Sequence, residues 1–128
     1  MLVMACGGSA SPPPSALDVS LSEFAVVSSS STAAPGKVTF TIKNTGTVAH
    51  EFVVLKTDVA SDKLPSAEGT VDEEDPALTG VDEVEDIGPG TTATLAVDLT
   101  AGHYALICNL PGHYSGGMHA SLDVAGSN

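Results

Sequence analysis

His103-Tyr-Ala-Leu-Ile-Cys108-Asn-Leu-Pro-Gly-His113-Tyr-Ser-Gly-Gly-Met118-His119 is the stretch from which the rest of the chain can be read. It carries a thiol, an imidazole and a thioether at Cys108, His113 and Met118, with four residues between each pair. Tyr104, Leu106 and Cys108 alternate with His103, Ala105 and Ile107, which is the period of a strand. Asn109-Leu110-Pro111-Gly112 then holds a Pro-Gly turn signal that bends the chain back toward the cysteine. Ser115-Gly116-Gly117 makes a second soft bend, and residues 120–124 read as the returning strand, with Leu122 and Val124 on one face. All three donors therefore belong to one loop held between two strands.

The donor types narrow the chemistry. Thiolate and thioether are soft ligands and imidazole is intermediate, whereas hard cations take oxygens and structural zinc sites generally take two or more cysteines. One Cys, two His and a weak axial Met make up a blue-copper electron-transfer site. Singly, each residue has a plainer reading: a strand-end Cys as a small buried hydrophobe, a loop His as a solvated side chain, a Met as a gap filler. A second imidazole at another strand end decides between the two.

That imidazole is His50. Val38, Phe40 and Ile42 alternate with Lys37, Thr39, Thr41 and Lys43 as a half-buried strand. Asn44-Thr45-Gly46-Thr47 follows as a turn, and His50 then opens a second apolar strand through Leu55. The pattern Asn-Thr-Gly-x-x-x-His50 with Cys108-x4-His113-x4-Met118 resembles the cupredoxins, the small blue-copper family that includes plastocyanin, azurin and auracyanin. The resemblance spans residues 17–125.

It implies an all-β Greek-key β-sandwich with one type-1 copper ion. His50, Cys108 and His113 would form a trigonal plane, Met118 would be the long axial ligand, and His113 the edge-exposed ligand through which electrons pass. One position departs from the family pattern: an Asn commonly follows the first His and ties the ligand loops together, and here Glu51 stands. An ionised carboxylate has no hydrogen to donate in that role.

Other segments supply the remaining strands. Leu17, Val19 and Leu21, then Phe24 and Val26, alternate along a first strand with a break near Ser22-Glu23. Ala93, Leu95, Val97 and Leu99 form another, turned by Thr100-Ala-Gly102 into the cysteine strand. The count is about seven. Thirteen Gly, eight Pro and no long helical pattern suit a β-sandwich.

Residues 58–86 lack this regularity and hold eleven Asp or Glu against Lys63 alone, most of the chain's net charge of −12. They read as an acidic, solvated insertion before the cysteine strand. A sharper alternative is a docking surface for a basic redox partner, because patches of one sign steer encounter. With four Lys and no Arg, the chain has no source of phosphate contacts, so nucleic acid is not a partner.

The first residues read separately from the fold. Val3-Met4-Ala5-Cys6 resembles a bacterial lipobox, although five residues before Cys6 are too short for a complete signal. Gly7 to Pro14 has the composition of a flexible tether. Residues 1–16 are thus expected to be a disordered, lipoprotein-like signal remnant and tether, and residues 17–128 the cupredoxin domain. A Cys6–Cys108 disulfide would consume the proposed metal thiolate and is rejected. The chain is expected to be an exported monomer at the periplasmic or extracellular face, with lipidation of Cys6 as a membrane tether.

Three function classes compete. An electron carrier would pass electrons between a redox donor and acceptor, such as a basic cytochrome or a membrane oxidase complex. A copper chaperone or store is the alternative, and it would favour exposed Met or His clusters. A copper enzyme needs a second copper domain or a two-cysteine loop, neither of which fits in 128 residues with this composition. The carrier is the preferred reading, with no catalytic residues.

Overall fold

A computed structural model describes residues 12–126; Cys6 and the lipobox-like segment lie outside them. The described residues form β1 (Ala16–Ser22), β2 (Ala25–Ser28), β3 (Thr32–Ala33), β4 (Gly36–Asn44), β5 (His50–Lys56), β6 (Ser66–Ala67), β7 (Thr70–Val71), β8 (Thr79–Ile87), β9 (Thr92–Leu99), β10 (Gly102–Ile107) and β11 (His119–Val124). One sheet has the order β2-β1-β4-β9, a second the order β3-β11-β10-β5-β8, and β6 with β7 makes a small hairpin. Strands therefore outnumber the expected seven, in the same all-β sandwich. The break near Ser22-Glu23 is the turn between antiparallel β1 and β2, and its Glu23–Phe24 peptide is cis.

Alternation along the strands builds the main core between the sheets. Leu17, Val19, Leu21, Val38, Phe40 and Ile42 point inward from one sheet, and Phe52, Val54, Tyr104, Leu106, Leu122 and Val124 from the other. Phe40 and Phe52 meet across the gap with ring centroids 5.1 Å apart, two residues beyond His50. Burying one such side chain contributes about 1.5–3 kcal/mol, so the start of β5 is firmly anchored.

The acidic segment differs from the solvated insertion that its composition suggests. Its first half covers the outer face of the five-stranded sheet. Leu64, Val71 and Leu78 are buried there against Val53, Leu55, Ala105, Ile107 and Tyr114. The cause lies in β5 and β10, which are apolar on both faces. Phe52-Val-Val-Leu55 is a continuous apolar run, so a layer is required on each side. The second half of the segment is β8, paired antiparallel with β5 at the sheet edge. Its apolar residues Val81, Val84 and Ile87 recur every third position, which hides a strand from a period-two search. Two register shifts account for that spacing, because each gives β8 one residue more than β5. Asp86, with φ of 56°, lies within one of them.

Candidate metal centre

Strand register brings His50 and Cys108 together. β5 and β10 are antiparallel neighbours with Val53 opposite Ile107, so the start of β5 and the end of β10 share one edge of the sandwich. The turn delivering His50 is closed by the buried Asn44 side chain. Its amide nitrogen donates to the carbonyls of Val48 and Ile87, both at 2.8 Å, and its oxygen accepts from Gly46 N–H. The other ligands come from a self-bonded loop. His113 N–H donates to Leu110 C=O, Met118 N–H to His113 C=O, and Cys108 N–H to Met118 C=O. Gly112, at φ of 80°, supplies a left-handed turn position.

The covering segment braces this loop at three points. Tyr114 donates its hydroxyl to Ser61 C=O and accepts from Leu64 N–H. Asn109 pairs with the backbone of Val71 and donates to Glu73. Gly112 N–H donates to Gly69 C=O. None of these ties was visible in the sequence, because the partners lie some 36 to 53 residues apart.

His50 Nδ1 and His113 Nδ1 are 3.1 Å apart, and the Cys108 sulfur is 3.8 Å and 3.5 Å from them. A point equidistant from the three donors lies about 2 Å from each, close to metal–nitrogen and metal–sulfur bond lengths. The donor set and its dimensions therefore fit a single soft metal ion. His50, Cys108 and Met118 are fully buried, whereas His113 is half-buried and reaches the surface. Met118 lies in the same buried cluster as Cys108.

Local charge prepares these donors. Burial pushes the Cys108 thiol up, opposed by the N–H groups of Glu51 and Leu110; a bound cation reverses that balance by favouring thiolate. Burial, then the neighbouring His50, pulls His113 down, which keeps its imidazole neutral and its lone pair available.

His50 Nε2 faces Glu23 Oε1 at 3.1 Å. The same carboxylate accepts from Thr47 N–H and Val48 N–H at 2.9 Å and 3.0 Å. Phe24, the next residue, stands edge-on to His113 with centroids 5.6 Å apart. The turn between β1 and β2 carried no signal of this role. Where Asn was expected after His50, the backbone of Glu51 supplies the donor, its N–H lying 3.3 Å from the Cys108 sulfur.

The two remaining histidines stand apart from this cluster. His103 is half-buried with Nδ1 2.7 Å from the Thr57 carbonyl. His119 packs on Tyr114.

Residues 27–128 match the family model of the sulfocyanin (SoxE) domain. Among curated proteins, none matches the chain in sequence. The fold is similar to that of dithionite-reduced auracyanin from Roseiflexus castenholzii (TM-score 0.65, 23% identity, 88% of this chain and 98% of that one). It is also similar to rusticyanin from Thiobacillus ferrooxidans (TM-score 0.62, 21% identity, 88% and 79%). Auracyanin A from Chloroflexus aurantiacus, described as a "blue" copper protein, is a further neighbour (TM-score 0.59, 20% identity, 88% and 99%). With a cupredoxin-like sandwich, a converging Cys-His-His cluster and a family match across most of its length, this chain belongs to the sulfocyanin (SoxE) domain family.

Proposed function

We propose that this protein is a type-1 copper electron carrier. The observation that carries the reading is the triangle of Cys108 Sγ, His50 Nδ1 and His113 Nδ1, sized for one ion and closed to bulk water except at His113. Bound there, with Met118 as the weak axial donor, copper would supply a one-electron Cu(II)/Cu(I) couple. The chain's contribution is rigidity. Its donors are fixed by β5, by the self-bonded loop and by the braces from the covering segment, so little rearrangement accompanies a change of charge.

His113 offers the route for electrons, because it alone of the three converging donors reaches the surface. Leu110, Pro111 and the exposed Phe24 surround it with a small apolar face. Exposed carboxylates on β8, including Asp82, Glu83 and Glu85, favour a basic donor or acceptor such as a cytochrome. Export to the periplasmic or extracellular face, with Cys6 as a lipid attachment point, suits such a carrier. A copper chaperone or store fits less well, because Met118 is the sole methionine among the described residues and is buried.

The visible spectrum of the oxidised, copper-loaded protein tests this reading. A strong thiolate-to-Cu(II) charge-transfer band in the red is expected, and Cys108→Ser should abolish it. A colourless oxidised wild type with copper bound would rule the type-1 assignment out.

A further inference from the structure

We propose that Glu23 is an anionic positioning residue for the metal centre: its carboxylate holds His50 with Nδ1 free for the metal and biases the centre toward the more highly charged metal state. The second half of this proposal rests on the copper reading above; the first does not.

The argument begins with the proton on His50. An ionised carboxylate only accepts hydrogen bonds, so an oxygen 3.1 Å from Nε2 places the imidazole proton on that nitrogen. Nδ1 then keeps its lone pair, and Nδ1 is the atom that converges with Cys108 and His113. Glu23 is kept ionised by its surroundings. The N–H groups of Thr47 and Val48 donate to it at 2.9 Å and 3.0 Å, and such donors favour the carboxylate over the acid.

The contact is built into the fold at several points. A Cβ on Gly46 would lie 2.5 Å from Glu23 Oε1, so that position excludes any larger side chain while the carboxylate stays in place. A Cβ on Gly116 would lie 2.9 Å from the Phe24 ring, and one on Gly117, at φ of 125°, would lie 2.8 Å from the Phe24 carbonyl. Three glycines thus make room for two consecutive residues, of which Glu23 touches His50 and Phe24 touches His113. The turn between β1 and β2 is a strap across both histidines.

Charge gives the strap a role beyond fastening. The His50 side chain is fully buried and Glu23 keeps only 25% of its side-chain exposure, so solvent screens the pair incompletely. A carboxylate on the far nitrogen of a ligand imidazole raises its basicity and orients its ring. A negative charge so near the centre stabilises the higher metal charge more than the lower one, which lowers the reduction potential.

The test compares the wild type with Glu23→Gln, an isosteric change whose carbonyl oxygen can still accept from Thr47 and Val48. In the metal-free wild type at mildly alkaline pH, 15N shifts should show His50 protonated at Nε2. A predominant Nδ1–H form would overturn the proposal, and this measurement needs no variant to fold. In copper-loaded protein, Glu23→Gln should weaken Cu(II) binding about 10–100-fold, with a smaller loss for Cu(I). The potential should then rise by about 59 mV for each tenfold change in their ratio. Equal potentials in the two proteins would also overturn it. A wild type without a blue band would sink the copper reading alone, and the His50 tautomer would still decide whether Glu23 positions the ligand.

Discussion

The backbone N–H of Glu51 lies 3.3 Å from the sulfur of Cys108 and links the residue after one ligand directly to another. A main-chain donor makes this link, so it does not depend on which side chain stands at position 51. The Glu51 carboxyl faces a different environment. Burial raises its pKa, the Asn109 N–H opposes that rise, and Glu73, Glu85 and Asp86 add to it by repulsion.

Met118→Gln should retain copper and colour and lower the reduction potential. The axial bond is long and weak, and an amide oxygen is harder than a thioether, so it favours Cu(II). A tenfold change in the Cu(II)/Cu(I) binding ratio would appear as about 59 mV in voltammetry. Loss of the metal would instead make Met118 indispensable to retention.

Asn44→Ala should be among the most destabilising single changes near the site. It leaves the carbonyls of Val48 and Ile87 and the N–H of Gly46 without their partner. An unsatisfied buried group costs about 1–3 kcal/mol, and partial rehydration at the turn limits the total to roughly 3 kcal/mol. Denaturant unfolding of the metal-free protein measures this directly, and a loss under about 1 kcal/mol would contradict it.

Glu74→Gln, Glu83→Gln and Glu85→Gln together should slow bimolecular electron transfer with a basic cytochrome. The loss should be greatest at low ionic strength and fade as salt screens both proteins. Glu73 is left intact because it accepts from Asn109, next to Cys108, and its removal would confuse docking with changes at the site. Stopped-flow rates that coincide at every salt concentration would remove docking as a role for these carboxylates.

Glu83 should contribute stability that grows as pH falls from neutral toward the ordinary carboxylate range, while His113, which burial pulls down, works against it over the same range. The Glu85 carboxyl beside it holds Glu83 above its usual value, followed by desolvation and repulsion from Glu85, Glu73 and Glu51. The folded state therefore binds this proton more tightly than the unfolded chain does. Folding gains as pH drops through the raised folded value, and the gain is complete below the unfolded one. Glu83→Gln should raise the neutral-pH melting temperature slightly, by a stabilisation within about 0.5 kcal/mol, and the gap between variant and wild type should close as pH falls. Wild-type and Glu83→Gln profiles that run parallel over this range would contradict it.

The copper-ligand pattern was readable because its chemistry is local. Cys108, His113 and Met118 share one loop, and the strand leading to the cysteine alternates in full view. His50 could be added because its turn and its apolar strand are themselves contiguous signals. The acidic segment was less readable, since charge dominates its composition while Leu64, Val71 and Leu78 stand seven residues apart, too far to show the alternation of a strand. The shifted register of β8 hid that strand in the same way.

Residue types and short spacings determined by themselves that this chain is a β-sandwich with a soft-metal loop, because hydrophobic period and ligand chemistry are written along the chain. The tertiary structure alone decided what holds the ligands. Glu23 reaches His50 across 27 residues, Asn109 reaches Val71 across 38, and Tyr114 reaches Ser61 across 53. Such contacts depend on where the sheets place their ends in space, and a hydrogen bond between distant residues leaves no periodicity behind.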